Sequence, residues 1–154
     1  MAVERVGVVG CGLMGSGIAE VTARAGLDVV VHERNEECLA SGRARIERSL
    51  ERAVKASKIS SAEAEAALGR ITFTCDLGAM ADRQLVVEAV FEDEAVKTEV
   101  FRQLDRIVED ERAILASNTS SIPIMKLGVV TQRPSQVCGL HFFNPVPVLN
   151  LVEL

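Results

Sequence analysis

The amino-acid sequence predicts a doubly wound α/β fold, in which helices cover both faces of a mostly parallel β-sheet. The first observation is the alternation of short, β-branched apolar runs with longer amphipathic segments along the chain. The second is a glycine-rich turn at residues 10–15, between the first apolar run and the first amphipathic segment. At 154 residues the chain has the size of one ordinary domain, and no internal repeat or linker divides it.

Composition and charge argue against several functional classes. With 48% hydrophobic and 25% charged residues the chain is globular, and a net charge of −5 without Trp or Tyr disfavours a nucleic-acid partner. The four cysteines (Cys11, Cys38, Cys75 and Cys138) form no CxxC pair, so neither a zinc site nor a redox dithiol is indicated. The N-terminus shows no signal sequence, and no apolar stretch approaches the roughly 18 residues of a membrane span. We therefore expect a cytoplasmic protein that binds no metal and no membrane.

The glycine-rich turn is the most informative local motif. Residues 6–9 form the first predicted strand, Gly10, Gly12 and Gly15 fit G-x-G-x-x-G, and a helix is predicted over residues 12–25. In this motif the first glycine allows a tight turn, the second lets the backbone approach a pyrophosphate, and the third lets the helix pack on the strand. The positive end of the helix dipole then faces the phosphates. The motif predicts a dinucleotide site, with a purely structural turn as the alternative.

A carboxylate ends the second predicted strand, residues 28–32. Glu33 follows the first glycine by 33 − 10 = 23 residues, close to the ~20 typical of the acid that binds the adenosine ribose in Rossmann-type folds. This spacing favours NAD as the cofactor. The neighbouring Arg34 would suit a 2′-phosphate and leaves NADP as the alternative.

The remaining elements continue the alternation. A long amphipathic helix is predicted at residues 35–56, and Ser60 with Glu63 forms a capping box at the start of a shorter helix that ends at Gly69. Further strands are predicted at 71–74, 85–90, 113–116, 137–142 and 149–154, a loop or single turn at 76–82, and further helices at 92–108 and 123–129.

Polar residues follow several of these strands. Ligands of open α/β sheets bind at the carboxyl ends of the strands, so we expect these residues to converge on one crevice. They are the glycine turn, Glu33, Glu92, the turn at residues 118–121, and His141.

A structural interpretation stays open for several of them. His141, within the apolar GLHFFNP, fits a core histidine, and Ser120 lies where an ST-turn would place a serine. Glu92 and Lys97 fit a surface ion pair. His32, inside the second strand, is interpreted as structural.

Four segments together resemble the NAD-binding domain of the 3-hydroxyacyl-CoA dehydrogenases: GCGLMGSGIAEVTARAG, VVEAVFEDEAVKTEVF, ASNTSSIPI and GLHFFNPVPVLNLVEL. The likeness spans nearly all of residues 3–154 and is strongest to the short-chain bacterial members, the 3-hydroxybutyryl-CoA dehydrogenases. GLHFFNPVP is far more specific than the glycine motif.

The resemblance implies a role for particular residues. It makes His141 the catalytic histidine, Glu153 its carboxylate partner, and Ser120 the residue that binds the substrate oxygen. The implied cofactor contacts are Gly10, Gly12, Leu13, Met14, Gly15, Glu33, Glu92, Lys97 and Asn144. Ser49 and Lys55 are the implied contacts of CoA, with a solvated helix face as the alternative.

The implied function is the interconversion of short-chain L-3-hydroxyacyl-CoA, such as 3-hydroxybutyryl-CoA, and 3-oxoacyl-CoA with NAD in fatty-acid or butanoate metabolism. Residues 1–154 match the dinucleotide-binding domain alone. Family members continue into a helical domain that supplies a catalytic Asn, much of the acyl pocket and the dimer interface. We expect a homodimer where that domain is present. A non-catalytic dinucleotide-binding or interaction module is the alternative, although such a module needs none of Ser120, His141 and Glu153.

Overall fold

The computed structural model describes residues 2–154 and contains a six-stranded sheet in the order β3-β2-β1-β4-β5-β6. Every neighbouring pair of strands in it is parallel. The strands are β1 (Arg5–Val9), β2 (Asp28–His32), β3 (Ile71–Thr74), β4 (Leu85–Glu88), β5 (Ile114–Ser117) and β6 (Val137–Gly139). The predicted doubly wound fold is confirmed. Strand order reverses between β1 and β4, the point at which such sheets bind their ligands.

Helices pack on both faces of this sheet because side chains alternate along each strand. The helices are α1 (Leu13–Arg24), α2 (Glu36–Lys55), α3 (Ser61–Gly69), α4 (Glu94–Ile107) and α5 (Ile124–Gly128). In β2, Val29 and Val31 pack in one core with α1, α2 and α3, while Val30 packs in the other with α4 and α5. The near-continuous apolar strands of the sequence are therefore buried on both sides.

Local signals in the sequence explain where several helices begin and end. The capping box of α3 is confirmed: the Ser60 hydroxyl accepts from the Glu63 N–H at 3.1 Å, and the Glu63 carboxylate accepts from the Ser60 N–H at 2.7 Å. The side chains of Asn35 and Asp93 likewise accept from backbone N–H groups in the first turns of α2 and α4. Gly26, with φ of 93°, follows α1, where a left-handed residue ends a helix most easily.

The end of the chain differs from the prediction. The expected strand at 137–142 divides into β6 and β7 (His141–Phe142), and the expected strand at 149–154 is shortened to β8 (Val152–Glu153). β7 leaves the large sheet and pairs antiparallel with β8. The reason is that β5 ends at Ser117, so the chain that follows β6 has no strand beside it with which to pair. The Phe142 N–H donates instead to the side-chain oxygen of Asn118 at 2.8 Å.

The loop expected at residues 76–82 contains a single 3₁₀ turn, Leu77–Met80. Among residues 2–154, no helix is both long and apolar enough to cross a membrane.

Candidate active site

The three glycines of the turn have different surroundings. Gly10 has a φ of 94°, and a Cβ built on it would lie 2.7 Å from the carbonyl oxygen of Ala89 in the chain that follows β4. A Cβ on Gly15 would overlap the carbonyl oxygen of Gly10, which shows how closely α1 approaches the turn. A Cβ on Gly12, in contrast, would meet nothing within 4 Å. Gly10 and Gly15 therefore shape the turn, and Gly12 leaves the outer side of the turn open.

The N-terminal end of α1 is open to an anion. Within residues 2–154, no side chain caps this end, and the first turn holds no acidic residue. Leu13 is 61% exposed there. Because unpaired N–H groups and the helix dipole favour negative charge, this end can hold a pyrophosphate. The turn and the helix end thus fit the dinucleotide that the motif predicts.

Glu33 lies beside the glycine turn, as the spacing predicts. Its carboxylate accepts from the N–H groups of Cys11 and Arg34, each at 2.9 Å. On the other side, the Arg45 guanidinium of α2 donates to the Cys11 carbonyl oxygen at 3.0 Å, and α2 approaches the turn through Gly42, where a Cβ would overlap Cys11. Burial raises the pKa of the Cys11 thiol to about 12, so this thiol is structural. The turn is held in place from β2 and from α2.

His141 and Glu153 face one another across the small antiparallel sheet. They are directly paired residues of β7 and β8, and His141 Nδ1 lies 3.2 Å from Glu153 Oε2. The imidazole is 23% exposed and packs against the ring of Phe143, with 4.5 Å between ring centroids. A carboxylate at Nδ1 stabilises the tautomer that carries its proton there, which leaves Nε2 as the basic nitrogen.

A cleft of about 360 Å³ brings five of the predicted site residues together: Met14, Glu92, Ser120, His141 and Asn144. It lies between the α1 end, the segment after β4, the turn after β5 and the β7 region. The residues that line it are Met14, Ala89, Val90, Glu92, Asn118, Ser120, His141, Phe142, Phe143 and Asn144. The expected convergence of strand ends on one crevice is thus visible for Ser120 and His141, which share this cleft.

Glu92 and Lys97 belong to a hydrogen-bonded network that begins below the cleft. The Lys97 side chain is 1% exposed, and its ammonium lies 2.6 Å from Glu88 Oε1 and 3.3 Å from Glu92 Oε2. Glu92 also accepts from the hydroxyls of Thr119 and Ser121. Burial opposes ionisation of Glu92, but the Thr119 hydroxyl and the Lys97 ammonium outweigh it and lower the pKa of this carboxyl. Glu92 is therefore an anion at neutral pH.

Ser49 and Lys55 lie on the same helix but not in the same cleft. Ser49 lines a second cleft of about 290 Å³, together with Arg45, Arg52 and Asn144. Lys55 lines a separate groove between α2 and α3. Since six residues along a helix turn the side chain to another face, the structure does not bring these two together.

Sequence reasoning did not identify Glu88 or Ser117 as parts of the site, and it included Thr119 only as part of the turn at residues 118–121. Glu88 is completely buried. One of its carboxylate oxygens accepts from Lys97, and the other accepts from the Ser117 hydroxyl at 2.6 Å. The signal was present, because a carboxylate inside the apolar run LVVEAV requires a buried partner. Lys97, nine residues further on, supplies it.

These observations define a class of protein. A parallel sheet in the 3-2-1-4-5-6 order, an open glycine turn at its switch point and a histidine–carboxylate pair nearby are the parts of a dinucleotide-binding domain of a dehydrogenase. The family model described as "3-hydroxyacyl-CoA dehydrogenase, NAD binding domain" matches residues 5–154. The chain belongs to this family and is an NAD-binding domain.

Individual relatives agree with this assignment. The chain is 63% identical to 3-hydroxybutyryl-CoA dehydrogenase of Mycobacterium tuberculosis, and the match covers 99% of this chain and 54% of the relative. It is 41% identical to the human mitochondrial hydroxyacyl-coenzyme A dehydrogenase, with 99% and 50% covered.

Solved structures agree as well. The crystal structure of M. tuberculosis FadB2 has a TM-score of 0.99 at 63% identity, with 100% of this chain and 54% of that chain covered. That of (S)-3-hydroxybutyryl-CoA dehydrogenase PaaH1 from Ralstonia eutropha has a TM-score of 0.95 at 41% identity, with 99% and 53% covered. The chain thus spans about half the length of these relatives.

Proposed function

We propose that this chain is the cofactor-binding half of a dehydrogenase that interconverts short-chain L-3-hydroxyacyl-CoA and 3-oxoacyl-CoA, with 3-hydroxybutyryl-CoA as the expected substrate. The observation that carries the proposal is that His141, paired with Glu153, lines the same cleft as Ser120 and Met14 of α1. The names of the relatives, which are 3-hydroxybutyryl-CoA dehydrogenases, support the choice of substrate.

The proposed chemistry is the oxidation of a secondary alcohol. NAD, when bound, supplies the acceptor for the hydride that leaves the carbinol carbon. Nε2 of His141 accepts the hydroxyl proton, since histidine is the side chain that most often serves as a general base at neutral pH. The Glu153 carboxylate at Nδ1 orients the ring and stabilises the imidazolium that forms, as an acid does in a hydrolase triad. In the reverse direction the same imidazolium returns the proton to the oxygen.

Ser120 and the cofactor contacts supply orientation. We propose that the Ser120 hydroxyl donates to the reacting oxygen and so holds the carbinol carbon in position. The proposed cofactor contacts are the glycine turn with Leu13 and Met14 for the pyrophosphate, Glu33 for the adenosine ribose, and Glu92 and Asn144 near the cleft. Lys97, which the resemblance also implies as a cofactor contact, is 1% exposed and contributes only through Glu92. For the CoA part of the substrate we propose Ser49 and Lys55, of which Ser49 lines the second cleft together with three arginines.

Two further proposals concern the longer protein. We propose a homodimer in the cytoplasm, as the resemblance to the 3-hydroxyacyl-CoA dehydrogenases implies. Exposed apolar side chains near the end of the described chain, such as Leu149, Leu151 and Leu154, support a surface that another part of the assembly covers.

Residues 1–154 alone should bind NAD but reduce acetoacetyl-CoA little or not at all. The glycine turn, Glu33 and the cleft are within the chain, whereas a wall that positions the acyl-CoA and excludes water is expected from the other half of the protein. Losing even part of the ~7–11 kcal/mol available from positioning removes many orders of magnitude in rate.

The experiment compares two proteins by calorimetry with NAD and by oxidation of NADH with acetoacetyl-CoA. One is the 154-residue chain, and the other is a chimera of this chain with the remaining half of the M. tuberculosis relative. Turnover by the chimera only is the expected result. A chimera that folds and binds NAD but lacks activity would contradict the dehydrogenase and favour a binding module.

NAD should bind to this chain more tightly than NADP. The Glu33 carboxylate accepts hydrogen bonds from a ribose 2′-hydroxyl and repels a 2′-phosphate. Glu33→Gln should narrow the ratio of the two dissociation constants by about tenfold, because it removes the charge that repels the phosphate. Calorimetric titration of both cofactors measures this ratio. Glu37→Gln, an exposed acid in the first turn of α2, is the matched control. Equal affinity of the unmodified chain for both cofactors, or tighter binding of NADP, would mean that Arg34 and not Glu33 sets the choice of cofactor.

A further inference from the structure

Lys97 is buried too deeply to act as a free cation in the cleft. Its side chain is 1% exposed, and its ammonium is bound to Glu88 at 2.6 Å and to the Val90 carbonyl oxygen at 3.4 Å. Moving this ammonium toward a cofactor would leave the Glu88 carboxylate, which is 0% exposed, without its charge partner. Uncompensated buried charge is strongly unfavourable. Lys97 therefore acts through the groups that it already touches.

Glu88 holds this ammonium in a defined position. One of its oxygens accepts from Lys97 and from the Val90 N–H at 2.7 Å, and the other accepts from the Ser117 hydroxyl at 2.6 Å. Glu88 and Ser117 are the paired last residues of β4 and β5. Two strands of the sheet thus fix the carboxylate on which the ammonium rests.

Glu92 connects this ammonium to the turn that contains Ser120. One Glu92 oxygen lies 3.3 Å from the Lys97 ammonium, and the other accepts from the hydroxyls of Thr119 and Ser121, the two neighbours of Ser120. The Thr119 hydroxyl oxygen also accepts from the N–H groups of Ser121 at 3.3 Å and Ile122 at 3.0 Å. Both sides of Ser120 are therefore tied to one carboxylate.

We propose that Lys97, held by Glu88, is a positioning residue that orients Glu92, and that Glu92 fixes the turn which presents Ser120 to the cleft. An ion pair that served only to fasten α4 to the sheet would need Lys97 and Glu88 alone. The third partner, Glu92, is 40% exposed and lines the cleft beside Ser120. The arrangement thus places a buried, fixed ammonium against the carboxylate that forms part of the wall of the cleft. The proposal rests on the proposed function only for the role of Ser120.

The test uses the 154-residue chain and needs no substrate. Lys97→Met alone would strand the buried Glu88, so the variant is Glu88→Gln with Lys97→Met, which removes both charges together. We expect it to fold, with amide hydrogens of Ser121 and Ile122 exchanging about tenfold faster than in the unmodified chain. The pKa of Glu92, followed by NMR, should rise, because the Lys97 ammonium no longer stabilises its carboxylate. A Lys97 that served only to pack α4 against the sheet would leave this pKa unchanged. Lys126→Met, which breaks the exposed Lys126–Glu94 ion pair at 2.7 Å, is the matched control.

Unchanged exchange at Ser121 and Ile122 in the folded double variant would overturn the proposal. Should the double variant fail to fold, Glu92→Ala tests the second link, since this half-exposed side chain can be removed without emptying the core. It should give the same faster exchange, and protection equal to that of the unmodified chain would overturn the role of Glu92. An inactive chimera would count against the proposed function but would leave these exchange rates as they are.

Discussion

His141→Gln in the chimeric dehydrogenase should lower turnover by about 10²- to 10⁴-fold, the range of a positioned general base, and leave NAD affinity nearly unchanged. Glutamine is similar in size and can keep a hydrogen bond to Glu153, but it has no nitrogen that accepts a proton at neutral pH. The alcohol would then have to lose its proton to water. NAD affinity should persist because the glycine turn and Glu33, which are expected to bind it, do not contact this imidazole.

The measurement is the steady-state oxidation of NADH with acetoacetyl-CoA, together with calorimetric titration of NAD. His32→Gln is the matched control, since the other histidine lies in β2 and does not line the cleft; its turnover should stay within a few-fold of the unmodified protein. Near-normal turnover of the His141 variant would contradict the role of this residue.

Gly15→Ala should impair both the fold and the cofactor site, and Gly12→Ala should impair the cofactor site alone. Alanine is favoured over glycine within a helix by about 1 kcal/mol. At Gly15, however, the added methyl would overlap the Gly10 carbonyl oxygen, so α1 must move away from the turn. Such overpacking costs about 1–3 kcal/mol or more, and we expect the overlap with rigid backbone to outweigh the gain.

At Gly12 the added methyl meets no protein atom within 4 Å, so the free energy of unfolding should change by less than about 1 kcal/mol. The methyl would instead stand where a pyrophosphate approaches the backbone, and NAD affinity should fall about tenfold or more. Thermal unfolding and calorimetric titration of both variants measure the two effects. For Gly15→Ala the midpoint should fall by about 2–4 °C per kcal/mol lost. A Gly12 variant that binds NAD normally would show that the cofactor does not approach this side of the turn.

The order of strands and helices could be predicted from the sequence because the signals for it are local. β-Branched runs, amphipathic periods and the capping box at Ser60 depend on residues within a few positions of one another. The rule that ligands bind at the carboxyl ends of parallel strands then pointed to Ser120 and His141, which the structure places in one cleft. Their chemical roles stay predictions.

Contacts between residues far apart in the sequence could not be predicted from such local signals. Glu88 appeared only as one carboxylate within an apolar run, and its pairing with Lys97 and Ser117 depends on how α4 crosses the ends of β4 and β5. Ser49 and Lys55 appeared as one site on one helix, and the packing of α3 and of the chain after β7 separates them into different clefts.

The sequence by itself determined the doubly wound fold, the glycine turn with Glu33 at its side, and the identity of the residues that end the strands. Only the tertiary structure decided that β7 leaves the large sheet, that His141 faces Glu153 across an antiparallel pair, and that Lys97 lies buried beneath Glu92. The physical reason is that backbone periodicity is a property of neighbouring residues. The partner of a strand end or of a buried charge is determined by the strands and helices that pack around it.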